Sequence, residues 1–142
     1  MARIRPGYDP GVVAEGVRLL RELPRSAQER VLLHGDFNPG NVLRNGAQWL
    51  AIDPKPMIGD PGYDPWPLLE QVDDPFAHPD PANVLRSRLA LMTDELEVSV
   101  DRIIGWAVAR RVETALWAAE HGDVPGGAEL MQDVPTLLDL LP

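Results

Sequence analysis

The sequence predicts an α+β fold, mostly helical, with a small β-hairpin in its middle third. Three observations carry that expectation. Apolar residues recur at helical spacing toward both ends of the chain, residues 31–52 switch to short apolar runs around Asn45-Gly46, and a length of 142 residues suits a single domain over 1–142. Apolar residues make up 44% and charged residues 25%, the balance of a chain that can bury a core. The absence of cysteine removes disulfides, thiolate metal sites and cysteine nucleophiles. A net charge of −9 argues against nucleic acid and against anionic membrane as partners. No apolar run reaches the roughly 18 residues of a membrane span, and Met1 to Tyr8 lack the apolar stretch of a secretory signal, so a cytoplasmic location is expected.

The elements follow in order. Asp9-Pro10 reads as a cap with proline at the first helical position, opening a helix over Gly11 to Leu23 that Pro24 ends, with a short turn over Ser26 to Arg30. Val31 to Leu33 reads as a strand. Asn41 to Arg44 and Trp49 to Ile52 read as the arms of a hairpin closed by Asn45-Gly46. Proline clusters between Pro54 and Pro81, which implies loop, with a short helix over Pro65 to Val72 capped by Asp64. Asp80-Pro81 opens a helix to Glu97. Ser99 caps the next, which stops at Gly122 and is apolar over so much of its circumference that it belongs at the centre of the core. A last helix spans Gly127 to Leu141 with a break at Pro135. Trp66, Trp106 and Trp117 read as core anchors, and His121 as a cation at a helix C-terminus.

The densest chemical signal is His34-Gly35-Asp36-Phe37-Asn38-Pro39-Gly40-Asn41, which has the spacing H-x-D-x-x-x-x-N of a phosphotransferase catalytic loop. Asp36, just after a strand, can orient an acceptor hydroxyl and take its proton. Asn41 and Asp53 stand at the two outer ends of the hairpin, which the Asn45-Gly46 turn makes neighbours, and their amide and carboxylate oxygens suit a hard cation such as Mg²⁺. A bland alternative is that Asp36 and Asn38 only satisfy a turn before Pro39-Gly40; the eight-residue pattern, the hairpin and Asp53 together outweigh it.

His34 to Leu43, together with Trp49 to Asp64 (W-L-A-I-D-P-K-P-M-I-G-D-P-G-Y-D), resembles the aminoglycoside/hydroxyurea antibiotic resistance kinase family, and Trp106 to Gly122 is similar to that family's C-terminal helix. The resemblance implies the C-terminal lobe of a protein-kinase-like fold and an ATP-dependent phosphotransferase with an alcohol group as acceptor. It implies Asp36 as catalytic base and Asn41 and Asp53 as Mg²⁺ ligands, with ATP as co-substrate and a small molecule, an aminoglycoside among the candidates, as acceptor. His34 is then a structural member of the loop, Asp64 a helix-start aspartate that bonds the loop, and Asp60 a cap of its own turn. Lys55, the only lysine beside 12 arginines, has two readings of equal weight: approach to phosphate or substrate, and a solvated loop side chain.

Only 33 residues precede His34, and they hold no lysine and read mainly as helix. Against the family pattern this leads to the expectation of a truncated chain without the N-terminal lobe that covers the nucleotide, with weak activity and with association through the lobe face left exposed. The alternative is an inactive remnant or pseudoenzyme acting as a small-molecule or partner-binding module. A metal-dependent hydrolase using His34, Asp36 and Asp53 is weaker, because no second histidine has metal spacing. Phe37-Asn38 stands where many relatives have Leu-His, and Gly62 where alanine is common, a mild change. The acidic excess is read as a solvated surface in preference to a signal for a cationic acceptor.

Overall fold

In the computed structural model, residues 6–141 are described. Met1 to Arg5, the start of the segment read above as lacking a secretory signal, lie outside the described residues. Helix α1 spans Pro10–Ser26, and the Asp9 carboxylate caps it by accepting the amides of Gly11 and Val12 at 2.7 and 3.1 Å. It does not stop at Pro24. The last turn continues because its free carbonyls find other donors: Ser26 Oγ donates to the Glu22 carbonyl at 2.9 Å, and the Arg102 guanidinium donates to the Leu23 carbonyl at 2.7 Å. Residues 27–30 form no helical turn, contrary to expectation: Ala27 is already extended, at ψ 121°, and leads the chain toward Val31.

Strand β1 (Val31–Leu33) follows, then a 3₁₀ turn over Pro39–Asn41, and β2 (Val42–Asn45) and β3 (Gln48–Ala51); the turn that joins them is Gly46-Ala47, one residue later than the Asn45-Gly46 expected, because Asn45 pairs with Gln48 and Gly46, at φ +62°, opens the turn. Asn41 ends the 3₁₀ turn rather than opening the strand. A further strand, β4 (Met57–Gly59), lies in the proline-rich stretch read as loop, and it pairs antiparallel with β1. There are therefore two two-stranded sheets among the described residues, β1–β4 and β2–β3. The faces they expose are apolar: Leu32 is paired with Ile58 and both are solvent-exposed, as is Trp49.

The remaining elements are α2 (Trp66–Gln71), α3 (Pro81–Leu96), α4 (Val100–Glu120), α5 (Val124–Gln132) and α6 (Val134–Leu138). The mostly helical α+β class holds. Helix α4 is the axis of the core, with Ile103, Ile104, Ala107, Val108, Val112 and Ala115 fully buried. Ser99 occupies its N-cap position without a side-chain hydrogen bond; its carbonyl accepts from Arg102 and Ile103 instead. Trp66 and Trp106 are buried, at 1% and 7% exposed, but Trp117 is 60% exposed and stacks on His121 at 4.0 Å, because it lies on the part of α4 that no other helix covers. The His121 ring bonds the Trp117 carbonyl through Nδ1 at 2.8 Å.

The break between α5 and α6 falls at Asp133, not Pro135. Arg111, nearly buried on α4, explains the position. It donates to Asp133 at 2.7 Å and to Glu70 of α2 at 3.2 Å, and its guanidinium lies 4.6 Å from the Phe76 ring. Burial pushes the Glu70 and Asp133 carboxyls up, and Arg111 offsets part of that. Among the described residues no helix is long and apolar enough to cross a membrane.

Helices α1 and α4 cross at Gly16, where a Cβ would lie 2.5 Å from Val112 Cβ and Cγ2. That approach leaves no room for a methyl group. Gly16→Ala is expected to cost about 1–3 kcal/mol through overpacking, read as a lower midpoint in thermal unfolding; an unchanged midpoint would show the crossing to be slack.

Candidate functional site

Strand β1 delivers the chain to His34, and a bend returns it to β2. The bend depends on Gly35 at φ +79°, where a Cβ would sit 2.0 Å from the Lys55 carbonyl oxygen, so only glycine lets the loop close on residues 53–55. The closure is fastened twice. The Lys55 amide donates to the His34 carbonyl at 2.8 Å, and the Ile52 amide donates to the Asn41 carbonyl at 2.9 Å. The second bond carries the hairpin ladder one step past Val42–Ala51, bringing the backbone at Asn41 next to that leading into Asp53. Asp53 itself is left-handed, at φ +53°, a conformation that aspartate tolerates better than most residues and that turns the chain sharply out of β3.

Asp64 is not the cap of α2; Pro65 holds the N-cap position and makes no side-chain bond. The Asp64 carboxylate accepts instead from two consecutive loop amides, His34 at 2.6 Å and Gly35 at 3.0 Å. The His34 ring spans the loop from inside, with Nε2 2.9 Å from the Ile52 carbonyl and Nδ1 accepting the Asp36 amide at 3.3 Å. Those partners select one tautomer, with the proton on Nε2. Phe37 lies edge-on to that ring at 5.6 Å.

Asp36 is partly exposed and engaged on both oxygens. Oδ2 accepts from Lys55 Nζ at 2.7 Å and Oδ1 from Asn38 Nδ2 at 3.0 Å. Lys55 first, and then Asn38, hold its carboxyl below the usual carboxylate range. Reciprocally, Asp36 raises the Lys55 ammonium, and Asp53 is near enough to add to that effect. Of the two readings of Lys55, its ammonium is thus tied to the Asp36 carboxylate while its side chain stays mostly in solvent. Asn38 also caps the 3₁₀ turn by accepting the Gly40 amide at 2.9 Å.

Asn41 Nδ2 donates to the Asp36 carbonyl at 2.9 Å, which fixes its amide and leaves Oδ1 as a free acceptor. One amide oxygen and, on the adjoining backbone, one carboxylate, Asp53, are the hard oxygens this edge offers. Among the described residues no three His, Asp or Glu side chains gather around a common point. That donor set fits Mg²⁺ arriving with phosphate, since Mg²⁺ needs only one or two protein oxygens and keeps waters and substrate oxygens for the rest. It does not fit a cation held by protein alone.

His34, Asp36, Asn41, Lys55 and Asp64 therefore belong to one bonded neighbourhood, and Asp53 lies on the backbone between Ile52 and Lys55, which bond to Asn41 and His34. Asp60 stands apart from it. Its side chain is buried; Oδ1 caps the turn Pro61–Tyr63 through the Gly62 amide at 2.9 Å, and Oδ2 accepts from Trp106 Nε1 at 2.8 Å and from Nε and Nη2 of Arg102. Sequence reasoning missed Arg102. The available signal was a charged residue one helical turn before Trp106 on an otherwise apolar face.

The chain belongs to the aminoglycoside/hydroxyurea antibiotic resistance kinase family, whose family model matches residues 5–122. It is 41% identical to a streptomycin 6-kinase of Streptomyces glaucescens over 74% of this chain and 37% of that protein. A streptomycin 6-kinase of Streptomyces griseus is 42% identical over 71% of this chain and 33% of its own length. A hydroxyurea phosphotransferase of Kitasatospora aureofaciens is 36% identical over 75% of this chain and 32% of that protein. The chain thus spans about a third of the length of these relatives. No solved structure gives a significant match.

Burial alone would raise the Asp60 carboxyl, but Arg102, Trp106 and the Gly62 amide outweigh it and hold it low. A lowered folded pKa stabilises the fold above the unfolded value, about 3.9, and that contribution is lost as pH falls through the folded value. Asp60→Asn should therefore cost about 3 kcal/mol at neutral pH, and the gap from the parent should shrink on acidification toward about pH 3, followed by urea unfolding. A gap independent of pH would contradict this.

Proposed function

We propose that this chain is the C-terminal lobe of a small-molecule kinase, a single domain that carries the base and the metal ligands of an ATP-dependent phosphotransferase. The observation that supports this reading best is the closure of the 34–41 loop on residues 53–55, with Asp36 Oδ2 2.7 Å from Lys55 Nζ and the Asn41 carbonyl bonded to the Ile52 amide. Asp36 orients the acceptor hydroxyl and receives its proton. A carboxylate held low is a modest proton acceptor, so its main contribution is alignment, in keeping with a loose transition state in which bond formation to the acceptor lags. His34 and Asp64 keep the loop backbone fixed, which matters because positioning supplies much of the rate in phosphoryl transfer.

Asn41 Oδ1 and the Asp53 carboxylate would hold Mg²⁺, which when bound supplies charge neutralisation of the phosphate oxygens. Lys55 is the cation beside the base and the side chain best placed to meet a transferring phosphoryl group. The relatives' names point to streptomycin and hydroxyurea as the acceptors to try first. The activity belongs to the cytoplasm, where ATP is available, and any association runs through the apolar sheet faces that carry Leu32, Ile58 and Trp49.

The test is phosphate transfer from Mg-ATP to these acceptors, followed by ADP release. Asp36→Asn is expected to lower turnover by about 10²–10⁴-fold with the circular dichroism unchanged. Turnover equal to the parent would overturn the base assignment. Saturable ATP binding without transfer to any acceptor would favour the binding-module reading instead.

A further inference from the structure

We infer that Arg102, on α4, is a positioning residue for the loop that carries Asp36, acting through Asp60. This rests on the reading of that loop as the reacting one. Three chain segments lead into or support the loop, and the Arg102 guanidinium touches or controls all three. Its Nη2 donates to the Leu23 carbonyl at 2.7 Å, and its Nη1 reaches Ser26 Oγ at 3.2 Å, so it holds the end of α1 just before the short link into β1. Its Nε donates to Asp60 Oδ2 at 2.8 Å, and Asp60 directly follows β4, the strand that pairs with β1. Asp60 also starts the turn Pro61–Tyr63, and that turn ends at Asp64, whose carboxylate carries the His34 and Gly35 amides.

The turn is seated on α4 at the same place. A Cβ on Gly62 would stand 3.1 Å from Arg102 Cβ and 3.2 Å from Trp106 Cδ1, so the backbone lies directly on the helix between those two side chains. Trp106 Nε1 adds its bond to Asp60 from one turn further along. The buried carboxylate is thus held by donors from α4, the most deeply buried helix of the core, and its chain neighbours carry the constraint to the loop. A guanidinium suits the task because its planar fork of five N–H donors reaches a carboxylate, a carbonyl and a hydroxyl in different directions at once, a spread that a compact ammonium does not match.

The test measures amide hydrogen exchange and phosphate transfer on the full chain as it stands, for the parent, Arg102→Lys and Trp106→Phe. Lysine keeps a charge beside Asp60 and gives up the contacts to α1; phenylalanine removes one donor to Asp60 and leaves a smaller aromatic ring in its place. Arg102→Lys is expected to speed exchange of the His34, Gly35 and Lys55 amides about tenfold, with Trp106→Phe smaller in the same direction, while the Val108 and Val112 amides of α4 change less than about twofold. In the transfer assay kcat falls in the same order and KM for the acceptor is retained. Loop amides that exchange as in the parent, or a uniform acceleration across loop and core, would overturn the proposal, as would loop-selective acceleration with kcat unchanged. If the parent transfers no phosphate, the functional reading fails, and the exchange data alone decide whether Arg102 orders the loop.

Discussion

The Asp64 carboxylate accepts two consecutive amides, at His34 and Gly35, at sequence separations of 30 and 29. Two loop donors that no strand or helix could satisfy are met by one ionisable group, and a loop that would otherwise sample many conformations is left with one. The other contacts of the site build on that fixation. The His34 carbonyl is turned to meet the Lys55 amide, the His34 ring reaches the Ile52 carbonyl, and the Asp36 carbonyl is offered to the Asn41 side chain. The backbone bonds bring residues 36–41 and 52–55 side by side, and no attraction among Asp36, Asn41 and Asp53, which carry like or no charge, is needed for that approach.

Much of this was legible in the sequence because it depends on local chemistry. Asp9-Pro10 and Asp80-Pro81 opened helices where a capping carboxylate and a pre-set φ predict them, and the hairpin formed where Asn45-Gly46 signals one, though its turn is Gly46-Ala47 with Gly46 left-handed and Asn45 still paired to Gln48. The broad apolar face of α4 identified the core axis. What was not legible depends on contacts between distant residues. Strand β4 is three residues long, sits among prolines, and exists because β1 needs a partner. Pro24 stayed within α1 because Arg102, far along the chain, reaches the carbonyls of its last turn. Trp117 has the side chain of a core residue and the helical position of a surface one, and position decided.

The same distinction runs through the site. The eight-residue pattern and its spacing to Asp53 marked the neighbourhood, whereas the bond from Asp64 to the loop amides was implied by the family resemblance alone, and the local reading of Asp64 as a helix cap did not hold. The pattern could not show that Lys55, two residues beyond Asp53, extends back to the Asp36 carboxylate, since the direction of a long side chain is set by the closure of Gly35 against the Lys55 backbone. The resemblance implied that Asp60 caps its own turn, as it does, but the sequence did not show that the same carboxylate is buried against Arg102 and Trp106.

The central claim is that one bonded loop presents Asn41 and Asp53 as a shared divalent-cation edge beside Asp36. Titration with Mn²⁺, a paramagnetic substitute for Mg²⁺, followed by amide resonances tests it most directly. The account predicts selective broadening of the signals of residues 36, 41, 53 and 55 at the lowest additions, lost in Asp53→Asn. Broadening that begins at the surface acids of α1, or that survives Asp53→Asn unchanged, would contradict it.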